Sequence, residues 1–413
     1  MLVAEKRHID DIIESSRAPR VPWPGKKGPR VITVTQTEDN LQEVMDNIKA
    51  GNIVKLVWKR FKGFKLRKPF GKATYPTWVP PFRESSVVSI INGNLDGTQP
   101  LIDGIAIFDL LAGTELWLVD LGLKPGEWWQ EDKQEWQSSN AILGTNYNCR
   151  GVIRAYSCTL HRCEKSNSYG KDGVYHGFRT YTVGLHLVNC SSDDGVLAKE
   201  WWVYFDNAPF CIMQNCDFGL SGRGHFQGGT RLVYALPKMF LGILVEGCHF
   251  HDAFVGSATA SSATVYGNPA VTIIKDTVIT NPGFEGASPA GGLLAWRTWN
   301  YGGNKLDEKG SANSLLVVDN VKVNIGEGKL DAGQFQWVAE AHIRDLDITG
   351  SHAGSAFISM PGLYDTVGIE DLTLYGGPYP IFRKHTGAPG VKLWHEYTEA
   401  ELKAMEWGAP SVK

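Results

Sequence analysis

Leu187-Val188-Asn189-Cys190-Ser191, Met213-Gln214-Asn215-Cys216-Asp217-Phe218 and Val245-Glu246-Gly247-Cys248-His249-Phe250 are three copies of one pattern. Each has β-forming residues, a polar or glycine turn position, a small apolar residue, then another short β-forming run. Upstream the pattern reads Ala155-Tyr156-Ser157-Cys158-Thr159-Leu160. Downstream it reads Ile274-Lys275-Asp276-Thr277-Val278-Ile279, Val318-Asp319-Asn320-Val321-Lys322-Val323, Ile343-Arg344-Asp345-Leu346-Asp347-Ile348 and Ile369-Glu370-Asp371-Leu372-Thr373-Leu374. Cys158, Cys190, Cys216, Cys248, Thr277, Val321, Leu346 and Leu372 follow one another at 32, 26, 32, 29, 44, 25 and 26 residues. A unit of that size cannot bury a core alone; stacking like units on one another can. The side-chain period of two then turns one position of every unit inward, and the four cysteines become a column of small buried hydrophobes. The unequal intervals mark loops of unequal length, longest in 280–313.

A further strand aligns just ahead of each unit: Tyr175–Arg179, Trp202–Asp206, Leu232–Tyr234, Thr264–Tyr266, Leu294–Arg297, Gln336–Glu340 and Ala356–Ser359. The units are therefore coils of several strands. Ahead of them, Leu41, Val44, Met45 and Ile48 fall on one helical face between Thr37 and Gly51. An amphipathic helix there covers the open end of a solenoid. Residues 398–405 are expected to form a short helix covering the other end.

Composition agrees. The chain has 413 residues, 46 glycines and 45 Trp, Tyr and Phe together, against about 29 glycines at average usage. Its 43% hydrophobic content excludes global disorder. It has no apolar run long enough for a membrane helix, and the first residues lack the apolar core of a secretory signal. Seven cysteines without CxxC spacing argue against a zinc ribbon or a disulfide framework. The first 72 residues carry a net charge of +8 and the remainder −11. The basic excess peaks at Trp58-Lys59-Arg60-Phe61-Lys62-Gly63-Phe64-Lys65-Leu66-Arg67-Lys68, which reads as a strand with a solvated lysine face. The acidic remainder makes nucleic acid a poor partner.

Helix cap, strand and coils bearing an Asn-Cys or Asp-x-Val/Ile pattern resemble the right-handed parallel β-helix proteins of the pectin-lyase-like superfamily. That superfamily holds polysaccharide lyases, polygalacturonase-like hydrolases and phage tailspike depolymerases. The resemblance implies an all-β solenoid over residues 35–385, after an extension at 1–34 and before a tail at 386–413. It also implies a groove that takes a linear polysaccharide lengthwise.

Two chemistries fit such a groove. Elimination of an acidic polysaccharide needs a cation for the substrate carboxylate, a base for the C5 proton and an acid for the leaving oxygen. His176, Arg179 and Tyr181 lie within six residues, and Arg231, Tyr234 and Arg297 follow on later coils. Hydrolysis, the second chemistry, needs two carboxylates across the glycosidic bond. Asp193-Asp194-Gly195 followed by Gly222-Arg223-Gly224-His225 is loosely similar to polygalacturonase motifs, with Arg223, His225 and Arg231 toward substrate. The hydrolases' Asn-Thr-Asp is missing from the preceding coil, and Asp-Asp-Gly also makes an ordinary turn. For hydrolysis, Asp206 ends a strand as a further candidate carboxylate. Trp299 and Tyr301 are the candidate sugar platforms. Of the pairs Trp128-Trp129 and Trp201-Trp202, at least one ring each is expected outward. His249-Phe250-His251 lets both imidazoles leave one face, a weak metal pattern alone. No cofactor is expected; Ca2+ is the ion the resemblance would bring, but no carboxylate cluster for it stands out.

The expected activity is therefore cleavage of an acidic polysaccharide by β-elimination, with hydrolysis or glycan binding by a virion fibre as alternatives. The expected setting is extracellular or virion-associated, without membrane contact. A virion fibre would be a homotrimer.

Overall fold

The structure is a computed structural model. It describes residues 30–35, 40–71 and 87–230 except 112, 148, 167, 170–172, 182, 209 and 223. Beyond these it describes 242–253, 265–267, 271–282, 292–297, 315–324, 331–336, 340–349, 357–359, 366–374 and 382–384.

The chain winds as a right-handed parallel β-helix. Among the described residues, the coil strands pair in parallel with their counterparts in neighbouring coils, and the one antiparallel pair is a hairpin, Glu127–Gln130 with Glu135–Ser138. Three ladders run along the axis. The first stacks Arg30–Val34, Asn52–Leu56, Val87–Asn92, Glu115–Val119, Val152–Tyr156, Gly184–Val188, Phe210–Gln214 and Gly242–Glu246. It continues through the leading halves of Val271–Pro282, Leu315–Asn324, Glu340–Thr349 and Thr366–Leu374, whose trailing halves extend the second ladder. The second ladder includes Gly122–Lys124, Thr159–Leu160, Ser191–Ser192, Asp217–Phe218 and His249–Ala253. The third includes Ala141–Thr145, Gly173–Tyr181, Leu197–Ala208, Gly224–Thr230, Val265–Gly267 and Gly292–Arg297. The first rung, Arg30–Val34, falls inside the stretch set aside from the sequence as an extension.

The turn between first and second ladders explains the repeat. Asp120, Ser157, Asn189, Asn215, Gly247, Asp276, Asn320 and Asp345 all have φ between 48° and 64°. Left-handed backbone is costly for most L-residues and easiest for Gly, Asn and Asp, hence the polar or glycine position of each unit. The next residue turns inward. Leu121, Cys158, Cys190, Cys216, Cys248, Thr277, Val321 and Leu346 are all at most 2% exposed. The thiols of Cys158, Cys190, Cys216 and Cys248 lie 3.5–3.6 Å from the carbonyl two residues back, and the Thr277 hydroxyl donates to the equivalent Lys275 carbonyl at 2.8 Å. All seven cysteines are free thiols.

Two features depart from the sequence reading. Leu232–Tyr234, expected on the third ladder, lies outside the described residues; the strand found at that rung is Gly224–Thr230, whose Phe226 stacks between Val203 and Val265. Likewise Asp331–Gln336 replaces Gln336–Glu340. Trp201 and Trp202 are both buried. Trp202 belongs to the interior, stacked on Phe218 at 6.1 Å, and Phe218 on Phe250 at 6.4 Å.

The first ladder is covered on both faces. Its inward row includes Leu118, Ala155, Leu187, Met213 and Val245; its outward row of Trp117, Arg154, His186, Ile212 and Leu244 is equally buried. A polar chain crosses five coils there. Arg154 forks onto Glu115 (Nε–Oε2 3.0 Å, Nη2–Oε1 3.3 Å) and meets His186 Nδ1 at 2.5 Å. His186 Nε2 meets Gln214 Oε1 at 2.9 Å, and Gln214 Nε2 donates to Glu246 at 2.8 Å. Since arginine can only donate, His186 Nδ1 accepts and its Nε2–H donates. Burial first, then the Arg154 cation, drives the His186 pKa down to about 3.

At the start of the solenoid the helix Asn40–Asp46 buries Leu41 and Met45. Its Gln42 amide donates to the Lys65 carbonyl at 3.0 Å and accepts from the Lys65 N–H at 2.7 Å. Those main-chain groups would otherwise face an open sheet edge. The expected helix at 398–405 lies outside the described residues.

Candidate functional site

The site grows at the corner between the second and third ladders. Strand Arg60–Leu66 buries Phe61, Phe64 and Leu66 and turns Lys62 and Lys65 outward, the solvated lysine face read from sequence. Arg60–Leu66 and Leu101–Ile107 pass round the corner without a break. Backbones approach so closely there that a Cβ on Gly63 would lie 1.9 Å from the Gly104 carbonyl oxygen, and one on Gly104 would lie 2.7 Å from the Gly126 nitrogen. This glycine column lets chain pile up without side chains and leaves a cleft of about 470 Å3 lined by Arg60, Lys62, Asp103, Glu127, Trp128 and Lys165, among others.

Two insertions at this corner form its wall: the hairpin after Gly122–Lys124 and the loop after Thr159–Leu160. Glu127 ties them together, accepting the main-chain N–H groups of Glu164, Lys165 and Ser166 at 3.1, 2.7 and 2.7 Å. Beneath them Lys124, 1% exposed, reaches Glu127 at 2.8 Å, Glu164 at 3.2 Å and Asp103 at 3.9 Å. Arg60 pairs with both Asp103 and Glu164 at 2.9 Å. Burial works against the Glu127 anion, but Lys124 and the three N–H groups outweigh it and hold the carboxyl below its ordinary range. At Asp103 burial outweighs Arg60 and Lys124, and the carboxyl is raised. Two neighbouring carboxyls are thus pushed apart.

Aromatic rings lead from this cleft along the third ladder. Trp128 and Trp129 are 50% and 40% exposed, Trp136 packs on Trp129, and Lys165 Nζ lies 4.3 Å from the Trp136 centroid. Ser168 donates to Gln137 at 3.0 Å, closing the loop onto the hairpin. Tyr169, Tyr175, His176 and Tyr204 then follow with centroids 4.8, 4.7 and 5.4 Å apart. The run ends at Arg179, whose Nε donates to Tyr181 Oη at 2.7 Å while its guanidinium lies 5.4 and 5.8 Å from the Tyr181 and Tyr204 rings. Tyr147, 62% exposed, covers Tyr181 at 4.1 Å. Burial first, and then the Tyr147 contact, raises the Tyr181 phenol above its ordinary range despite Arg179.

Of the residues expected from sequence, Arg179 and Tyr181 meet, because residues two apart share a strand face. Asp206 takes the register position beside Tyr181, on the next coil. His176 is on the same strand but buried, beneath Tyr175 and Tyr204. His225 and Arg297 sit on third-ladder strands, and Arg297 is opposite Gln336. Arg223, Arg231, Tyr234, Trp299 and Tyr301 lie outside the described residues. Asp194-Gly195 makes a turn, with Gly195 at φ 76°, and the neighbouring Asp193 is paired with His161.

Sequence reading missed the cleft of Arg60, Asp103, Trp128 and Lys165, which come from four separate parts of the chain. Among the described residues no helix is long and apolar enough to cross a membrane. No protein-family model matches this chain, and no curated protein matches it in sequence.

Proposed function

We propose that this chain belongs with the pectin-lyase-like β-helix proteins and cleaves an anionic polysaccharide by β-elimination, holding it across the second–third corner. The observation that carries this reading is Arg179, a cation seated on Tyr181 and Tyr204 with its Nε on the Tyr181 hydroxyl. Arg60, Lys62 and Lys165 add positive charge in the cleft, and Trp128 and Tyr147 offer exposed ring faces for sugars. Arg179 neutralises the uronate carboxylate. Asp206, the register neighbour of Tyr181, is the residue proposed to take the C5 proton; the C5–H electrons then form the C4=C5 double bond, and the C4–O pair leaves on oxygen. Tyr181, kept protonated by burial, donates its proton to that oxygen. Solvent returns the proton from Asp206 to Tyr181.

A second reading has its own observation. Asp103, raised by burial, sits in the cleft with the ionised Glu127, the division of labour a hydrolase needs. One screen separates the two. The protein is incubated with uronic-acid polymers, and both the ultraviolet absorbance of unsaturated uronate and new reducing ends are followed. Elimination gives both signals; reducing ends alone mean hydrolysis; glycan binding with neither means a binding fibre. Arg179→Ala is expected to cut elimination at least a hundredfold, on the order of a lost charge stabilisation in a transition state. Arg297→Ala is expected to cut turnover sharply as well. Full activity in both variants would remove the site from this ladder.

A further inference from the structure

On the outward face of the second ladder, Asp217 and His249 are register partners on adjacent coils. His251 lies two residues beyond His249 and therefore on the same face. Asp217 Oδ1 is 3.4 Å from His249 Nδ1 and 3.2 Å from His251 Nε2, and one ligand atom from each residue lies within 4.8 Å of the others. The outer nitrogens are also engaged. His251 Nδ1 is 2.8 Å from Asp252 Oδ2, and His249 Nε2 is 3.3 Å from Thr280 Oγ1. The imidazoles stack at 4.9 Å.

The proton arithmetic is informative. Asp252 accepts only, so His251 Nδ1 carries the proton it donates. In the neutral ring Nε2 is then a lone pair, and it faces another acceptor, the Asp217 carboxylate. A cation resolves that opposition, either a proton on Nε2 or a metal ion bound by both groups. Zinc–nitrogen and zinc–oxygen bonds of about 2.0–2.2 Å set tetrahedral ligand–ligand edges of about 3.3–3.5 Å. The two measured edges to Asp217 are close to that. Asp252 plays the outer carboxylate that commonly orients a metal-bound histidine. Its own backbone is held at φ 59°. Gly219 completes the frame, since a Cβ there would lie 2.5 Å from His251 Cε1.

We infer that Asp217, His249 and His251 form a site for one divalent first-row transition metal ion, zinc by ligand type and edge length. Two imidazoles and one carboxylate suit zinc, cobalt, nickel or iron better than calcium or magnesium, which prefer oxygen. Asp217 is 56% exposed, so the fourth position opens to solvent and can take an external ligand.

The full chain, freed of metal by chelator and dialysed, is titrated with Co2+ and its visible ligand-field bands are read. The bands are expected to saturate at one equivalent and to disappear when Zn2+ displaces the cobalt. Asp217→Asn and His251→Ala are expected to weaken binding at least tenfold, and Asp252→Asn by about 10–100-fold, with unchanged circular dichroism. Asp217→Asn, a change at an exposed carboxylate, keeps the test open should a histidine variant misfold. Wild-type protein without bands would overturn the site. So would bands that persist unchanged in His249→Ala/His251→Ala, or that Ca2+ abolishes and Zn2+ does not.

Discussion

Replacing Arg154 with methionine isolates the polar chain on the first ladder. The side chain is 2% exposed, and removing it leaves Glu115, wholly buried, without its forked guanidinium. The indole of Trp117 still donates to Glu115, but His186 Nδ1 loses its donor. Breaking a buried ion pair from one side costs about 3–5 kcal/mol, and the charge-assisted hydrogen bonds here place this site in that range. The folded-to-unfolded ratio should fall by on the order of a hundredfold or more. Arg154→Met/Glu115→Leu, which leaves no orphan charge, is expected to recover at least half the loss. Arg162→Met, an exposed arginine, is expected to change stability by no more than about 0.5 kcal/mol. Urea titration followed by both tryptophan fluorescence and far-ultraviolet circular dichroism measures all three, and coincident curves establish a single transition in this stacked fold. A cost below about 1 kcal/mol for Arg154→Met, or a double variant no more stable than Arg154→Met alone, would refute the coupling.

Three further outcomes follow from the same ladders. His186 is neutral in the fold because burial and Arg154 depress its pKa to about 3, below its ordinary 6.5. The unfolded chain therefore binds more protons between those values, and the histidine's contribution to stability is lost as pH falls from about 6.5 toward 3. His186→Gln is expected to flatten the midpoint-versus-pH curve in that window; an unchanged slope would show another group is responsible. At the left-handed turns, Gly247→Ala is expected to cost about 1–2 kcal/mol by thermal melt, because φ is 64° and the new Cβ would lie 2.4 Å from Asn215 Oδ1. Ser157→Asn, at φ 52°, is expected to gain about 0.5 kcal/mol; equal and opposite results would mean the column does not set the turn.

The ladder was legible because one turn geometry and one inward position repeat in eight successive coils, from Asp120-Leu121 to Asp345-Leu346. Asn189-Cys190 and Asn215-Cys216 state both in two letters. Arg179 and Tyr181 were legible through the strand period alone. Trp201 and Trp202 misled because alternation assumes one wet face, and both of these rings are buried. The cleft was not legible, since the Gly63, Gly104 and Gly126 approach is a contact between coils with no local pattern. The Asp217–His249 pairing had a usable signal that the paired histidines alone did not give. The 32-residue step from Cys216 to Cys248 carries Asp217 directly onto His249.

The left-handed turn has a consequence for how such a chain can change length. It fixes the phase of the rungs that carry it, so a single residue lost from Val152–Tyr156 would swap Arg154 into the interior and Ala155 out of it. Growth or shrinkage without that inversion must come in whole rungs, one layer at a time. The corner that carries the hairpin and the loop after Thr159–Leu160 is exempt, since residues added there never enter the register. Variation in the surface offered to a ligand can therefore accumulate at one edge while the stack beneath it stays fixed.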